Sequence, residues 1–143
     1  MAGDLMDLAK TIAAGLVGDM GLTCAVGTLD TSEPPRVLTV RVQPIGEGTE
    51  EPFAIPNDFR KALRVEVRAW TPGGKSEASF QSLVDTCTAA TGWVEENREL
   101  TDYEEGRSEG YEIVTHDEAG VTLPTWYAAV RIVYLVERNV GGA

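Results

Sequence analysis

The sequence predicts an α+β domain: an antiparallel-rich sheet of four or five strands with two helices packed on it. Three observations predict it. Apolar residues recur at spacings of three and four in two separate stretches, which is the period of an amphipathic helix. Between and after them, apolar and charged residues alternate with a period of two, which is the mark of a half-buried strand. The helical stretches and the strands do not alternate regularly, so a doubly wound parallel sheet is not indicated.

The first helix is expected over residues 4 to 20. Leu5, Leu8, Ala9, Ile12, Ala13, Leu16, Val17 and Met20 build one apolar stripe. Asp4 and Asp7 fall in its first turn, where carboxylates favour the positive end of the helix dipole, and Gly21 is placed to stop it. Leu22 to Leu29 reads as a short strand, with Leu22, Cys24 and Val26 on one face. Asp30-Thr31-Ser32-Glu33-Pro34-Pro35 is a turn by composition, and Arg36 to Ile45 returns as a strand with Leu38, Val40 and Val42 on one face. Two strands joined this way predict a hairpin.

Gly46 to Arg60 reads as a long loop, glutamate-rich in its first half and tied down by Phe53 and Ile55 in its second. The stretch from Ala62 to Trp93 organises the chain. Leu63, Val65, Val67 and Ala69 alternate with Arg64, Glu66 and Arg68, giving one core face and one wet face. Thr71-Pro72-Gly73-Gly74 ends that strand, because proline cannot continue a ladder. A second helix is expected from about Ser76, with Phe80, Leu83, Val84, Cys87 and Ala90 on its apolar side.

An acidic stretch follows. Ten acids lie between Glu95 and Glu118 against Arg98 and Arg107, and the middle of the stretch, Thr101 to Gly110, reads as a solvated excursion. Tyr111 to His116 is expected as a strand. Thr125 to Arg138 is the closing strand, with Trp126, Ala128, Val130, Ile132, Tyr134 and Val136 on one face. Its other face is also largely apolar at the centre, which places it inside the sheet rather than at an edge. The 143 residues thus form one domain, with mobile loops at about 46–60 and 95–110 and a frayed tail at 139–143.

A net charge of −11 argues against a wrapped nucleic acid and against an anionic membrane surface, both of which need clustered Lys and Arg. No run approaches the roughly eighteen apolar residues of a membrane span. The N-terminus carries Asp4 and Asp7 where a secretory signal carries bases, which points to a cytosol. Cys24 and Cys87 are too few for a disulfide framework or a zinc site and read as buried small hydrophobes.

Chemistry-bearing motifs are sparse. Ala69 to Ser76, ending Gly74-Lys75-Ser76, satisfies a relaxed P-loop pattern between a strand and a helix. Pro72 removes one of the N–H groups such a cradle would use, and no apolar strand ends in a magnesium-holding aspartate. Aligning Gly106 with the glycine of a calcium loop puts Glu112 at the closing position, but Thr101 and Tyr103 then stand where acidic ligands belong. His116 is the single histidine and has no neighbouring nucleophile, so no triad is supported. Trp70, Trp93 and Trp126 read as core anchors. No catalytic, cofactor-binding or metal-binding residue is expected.

Taken in order, these elements resemble the tail terminator (tail completion) proteins of long-tailed bacteriophages. The likeness is carried by Asp4-Leu5 through Ile12-Ala13-Ala14-Gly15-Leu16, by Leu63-Arg64-Val65-Glu66-Val67-Arg68-Ala69-Trp70 leading to a helix that begins Glu77-Ala78, and by Trp126-Tyr127-Ala128-Ala129-Val130-Arg131-Ile132. It covers most of the chain as a pattern, without a diagnostic motif. The resemblance implies a structural virion protein with no catalysis, assembled in the bacterial cytoplasm. It would form a homo-oligomeric ring, usually a hexamer, that caps the tail tube and meets the head–tail connector at the neck of the virion. DNA would pass through the lumen without specific binding. The two loops are then the expected contacts with other subunits and with the tube, through Glu50, Phe53, Ile55, Asp58 and Arg60 in the first and Asp102, Tyr103, Glu105 and Arg107 in the second. Rival readings are another neck component such as a head-closure protein, a monomeric acidic adaptor, and a small enzyme using Lys75 and Ser76 on a phosphorylated ligand.

Overall fold

Two helices lie on one face of a five-stranded sheet with strand order β1-β2-β3-β5-β4. The computed structural model describes residues 4–27, 37–49, 58–71, 77–114 and 127–139, with the backbone alone at 49, 58–60 and 137–139. The elements are α1 (Leu5–Met20), β1 (Cys24–Val26), β2 (Thr39–Thr49), β3 (Asp58–Trp70), α2 (Glu77–Glu96), β4 (Glu104–Val114) and β5 (Tyr127–Asn139).

Helix α1 begins and ends as its sequence dictates. The Asp4 carboxylate accepts the Asp7 N–H at 2.6 Å, which satisfies one of the helix's unpaired donors. Gly21 takes the left-handed conformation at φ 69°, and its N–H returns to the Leu16 carbonyl. Leu8, Ala9, Ile12, Ala13 and Leu16 are buried, so the expected stripe is the one that meets the sheet. On α2, Leu83, Cys87, Ala90, Trp93 and Val94 are buried, while Phe80, expected on the same stripe, is exposed. Helix α1 covers the β1–β2 side and α2 the β5–β4 side.

The helices meet at one point of close approach. Gly15 of α1 lies under the indole of Trp93, and a Cβ there would fall 2.2 Å from the ring. Asp19, one turn on, accepts the Trp93 indole N–H at 2.8 Å. The core between helices and sheet is completed by Val40, Val42, Leu63, Val65, Val67, Ala69, Ala128, Val130, Ile132 and Tyr134. These are the alternating positions expected to face inward in β2, β3 and β5. Strand β5 is central, paired antiparallel to β3 on one side and β4 on the other.

Three expectations are corrected. First, β1 and β2 are not a hairpin: they pair in parallel, Cys24 beside Val40 and Val26 beside Val42. The connection of residues 27–38 is long enough to bring the chain back to the same end of the sheet, which a tight turn cannot do. Second, the loop expected at 46–60 is shorter. Residues 46–49 extend β2 and 58–60 open β3, and the register slips between Pro44 and Gly46. A bulge is where a proline without an N–H is tolerated in a ladder. Third, the loop expected at 95–110, with its solvated excursion from Thr101 to Gly110, is largely regular. It starts in the last turn of α2 and ends in β4, which begins at Glu104 rather than Tyr111. Charged side chains are at home on an edge strand, and two register shifts break the alternation that would have revealed it. The Thr101–Glu112 stretch compatible with a calcium loop is thus turn and strand, with Gly106 buried against Tyr134.

Candidate functional site

The sheet's second face carries most of the structure's unusual chemistry. Residues in register across the strands share a face, so this face can be laid out in rows. Arg41 of β2 stands beside Arg68 of β3, then Ala129 of β5 and Glu112 of β4. The next row is Gln43, Glu66 and Arg131. The row after it runs Gly46, Arg64, Val133 and Arg107. Among the residues whose side chains are described, five arginines (41, 64, 68, 107 and 131) stand in register on this face with three glutamates (66, 104 and 112), in a chain whose total is −11.

The side chains are partly organised. Arg68 Nε donates to Glu66 at 2.8 Å, and its guanidinium sits 5.5 Å from the Tyr127 ring centroid, over the π face. Arg41 Nη1 donates to the Val40 carbonyl at 2.9 Å. Arg131 reaches Glu112 only at 3.7 Å, with both side chains about two-thirds exposed (64% and 65%). Arg64 lies across Gly48, where a Cβ would come within 2.8 Å of its guanidinium, and has no carboxylate partner among the described residues. Beneath this charged layer, Ala62, Val133 and Leu135 form a second, smaller buried cluster.

The helical layer has the opposite sign. Asp4, Asp7, Asp19, Glu77, Asp85, Glu95 and Glu96 lie on or cap the helices, and Glu99 and Asp102 follow α2, against Lys10 and Arg98. Three of these acids have internal work. Asp4 caps α1, Asp7 accepts the Tyr103 hydroxyl, and Asp19 holds the Trp93 indole. Glu95, Glu96, Glu99 and Asp102 are exposed and cluster at the end of α2.

A cleft of about 300 Å³ opens between α2 and β4, lined by Thr91, Glu95, Arg98 and the bulged segment from Gly106 to Tyr111. The Thr91 hydroxyl is buried there without a hydrogen-bond partner. Glu105 at φ 51° and Gly110 at φ 98° give β4 its irregular course. The lining offers one carboxylate, two guanidinium groups and the hydroxyls of Thr91, Ser108 and Tyr111, and no hydrogen bond among the described residues joins the Glu95 carboxylate to any of those hydroxyls.

The residues expected to make contacts are dispersed. Glu50, Phe53 and Ile55 lie outside the described residues, as do Lys75, Ser76, His116 and Trp126. Asp58 and Arg60 are in β3, in register with Asn139 and Glu137. Asp102 and Glu105 are exposed. Arg107 is exposed on β4, across Val133 from Arg64. Tyr103 is different. It is buried (3% exposed), donates its hydroxyl to Asp7 and stacks edge-on with Tyr134 at 6.3 Å, so in this chain it fastens the α2–β4 connection to α1. Arg41, Arg64, Arg68 and Arg131 were not singled out from the sequence. Their signal was present in the wet positions of β3, but only the pairing order places four strands' arginines together.

Cys87 is buried, and burial pushes its thiol up to about 11, which keeps it protonated and unreactive at neutral pH. Cys24 is raised by partial burial, opposed by Arg41. Among the described residues no helix is long and apolar enough to cross a membrane, and no three acidic, histidine or cysteine side chains are grouped to hold a metal. No protein-family model matches the sequence, and no curated protein matches it significantly.

Proposed function

We propose that the protein is a structural assembly component, a phage tail terminator that forms a ring on the end of the tail tube and joins it to the head connector. The observation that carries this reading is the segregation of charge between the two layers. Arginines gather on the side of the sheet away from the helices, and exposed acids gather on the helices and at the end of α2. A molecule with two unlike, complementary faces joins its copies in sequence, and a ring follows when the rotation between neighbours closes. Among the described residues, the edge strand β4 and the part of β2 beyond β1 have no strand on their outer side, which gives a neighbour's backbone a place to pair. The resemblance of the helix–strand–helix–strand pattern to tail terminators supplies the identity of the target.

The test is co-sedimentation with isolated tail tubes, read together with the mass of the bound species by light scattering. A stoichiometric ring at the tube end is the expected result. A chain that never sediments with tubes, at any salt concentration, overturns the reading.

A further inference from the structure

We propose that the arginine-bearing face of the sheet docks the acidic end of α2 of a second copy, head to tail. This specifies the interface of the ring-forming assembly and so rests on that reading. The donor surface is Glu95 and Glu96 in the last turn of α2, with Glu99 and Asp102 just beyond, all exposed. The acceptor is the patch formed by Arg64, Arg107 and Arg131, all exposed, with Arg68 beside them.

Both surfaces are incomplete in the single chain. The last turn of α2 holds no basic residue, so Glu95 and Glu96 sit against the negative end of the helix dipole. Like signs there repel, and α1 likewise ends without a base. Arg98 is the one cation in this cluster, among the described residues. On the sheet, Arg64 has no carboxylate partner among the described residues, and Arg131 has one only at 3.7 Å. A guanidinium offers five donors in a planar fork that suits a carboxylate, and here most of those donors face solvent. Each surface supplies what the other lacks.

Arg64 and Arg131 lie on the sheet face away from the helices, while Arg107 lines the same cleft as Glu95, at the edge where the two layers meet. A two-fold contact would pair the arginines of each copy with the acids of the other and stop at two copies, whereas the ring requires a head-to-tail contact. A head-to-tail contact sets arginines on acids and leaves the same pair of surfaces free at the two ends of the growing chain. A single exposed ion pair contributes little, so the interface needs several of them and responds to salt.

The experiment is the mass of the full chain by light scattering at low ionic strength and at about 1 M salt, where screening reaches within about 3 Å. Wild type should show a multiple of the 15.4 kDa protomer mass at low salt and move toward 15.4 kDa at high salt. Arg64→Glu with Arg131→Glu should give the protomer mass, and so should Glu95→Lys with Glu96→Lys. All four substitutions in one chain should restore association, which loss of folding could not do. The proposal is overturned if wild type stays at the protomer mass at low salt, if either double variant associates as wild type does, or if the four-fold exchange fails to restore association. It is also overturned if the arginine face binds single-stranded DNA while the mass stays that of one chain. Rings on tail tubes built equally well by Arg64→Glu with Arg131→Glu would sink this interface and leave the terminator reading standing. Association as described with no affinity for tubes would do the reverse.

Discussion

Single residues set how closely the layers approach. Gly15 and Gly18 are both in the interior of α1, and helix propensity alone favours alanine at each by about 1 kcal/mol. Their surroundings differ. A Cβ at Gly15 would enter the Trp93 ring, whereas nothing lies within 4 Å of one at Gly18. Urea unfolding should therefore find Gly18→Ala more stable by about 0.5–1 kcal/mol and Gly15→Ala less stable by about 1–3 kcal/mol. The buried phenol and thiol bear on alkaline stability. The Tyr134 hydroxyl donates to the Asn97 carbonyl, and burial, with Glu99 nearby, holds its ionisation well above the usual 10.0. The Cys87 thiol is likewise raised from 9.0 to about 11. In both cases the folded state keeps a proton that the unfolded chain gives up. Stability is then undiminished below pH 9 and falls as pH rises from 9 through 11 for Cys87, and from 10 upward for Tyr134. Denaturation curves from pH 8 to 11 should decline less steeply for Cys87→Ala than for wild type, and an equal slope would refute the assignment. The buried place of Cys87 was legible in the apolar period of α2. The glycine contact was not, because a glycine's neighbour across a helix crossing leaves no local pattern.

At the scale of elements, the chain's hydrophobic periods located both helices and the inner strands, and they placed β5 inside the sheet. They missed the start of β4 and the direction of β1. Strand β4 is an edge with two bulges, where side chains face water on most positions and period two is lost. Strand β1 has three residues, and nothing in three residues encodes parallel or antiparallel pairing. Central and edge elements should differ in stability accordingly. Ile132→Ala on β5, at a fully buried position, should cost about 2–5 kcal/mol, while Tyr111→Ala on β4, 45% exposed, should change unfolding by less than about 1 kcal/mol. Native-state hydrogen exchange should find the amides of β3 and β5 slowest and those of β1 fastest. A β1 as protected as β5 would contradict the sheet order.

The whole molecule separates charge by layer. The sequence shows a total of −11, which reads as a uniformly acidic protein and excludes a wrapped nucleic acid on average charge alone. The fold divides that total unevenly, with five arginines against three glutamates among the described side chains in register on the sheet face away from the helices. An acidic chain can thus carry a cationic surface, and the affinity of that surface depends on position rather than on net charge. Self-association should accordingly weaken with added salt, unlike an apolar interface, which strengthens in sulfate or phosphate. Sedimentation velocity in sodium chloride and in sodium sulfate at matched ionic strength distinguishes the two.

The sequence by itself determined the α+β class, most of the inward-facing residues of each long element, the stop of α1 at Gly21 and the central place of β5. Each of these follows from local periodicity or from one residue's backbone preference, which operate over a few neighbours. Only the tertiary structure decided the parallel pairing of β1, the fit of Gly15 under Trp93, the use of Tyr103 as a fastener, and the gathering of Arg41, Arg64, Arg68, Arg107 and Arg131 on one face. Those features join residues far apart in the chain. They depend on which strands pair and in what register, a choice made by the packing of whole elements rather than by any segment alone.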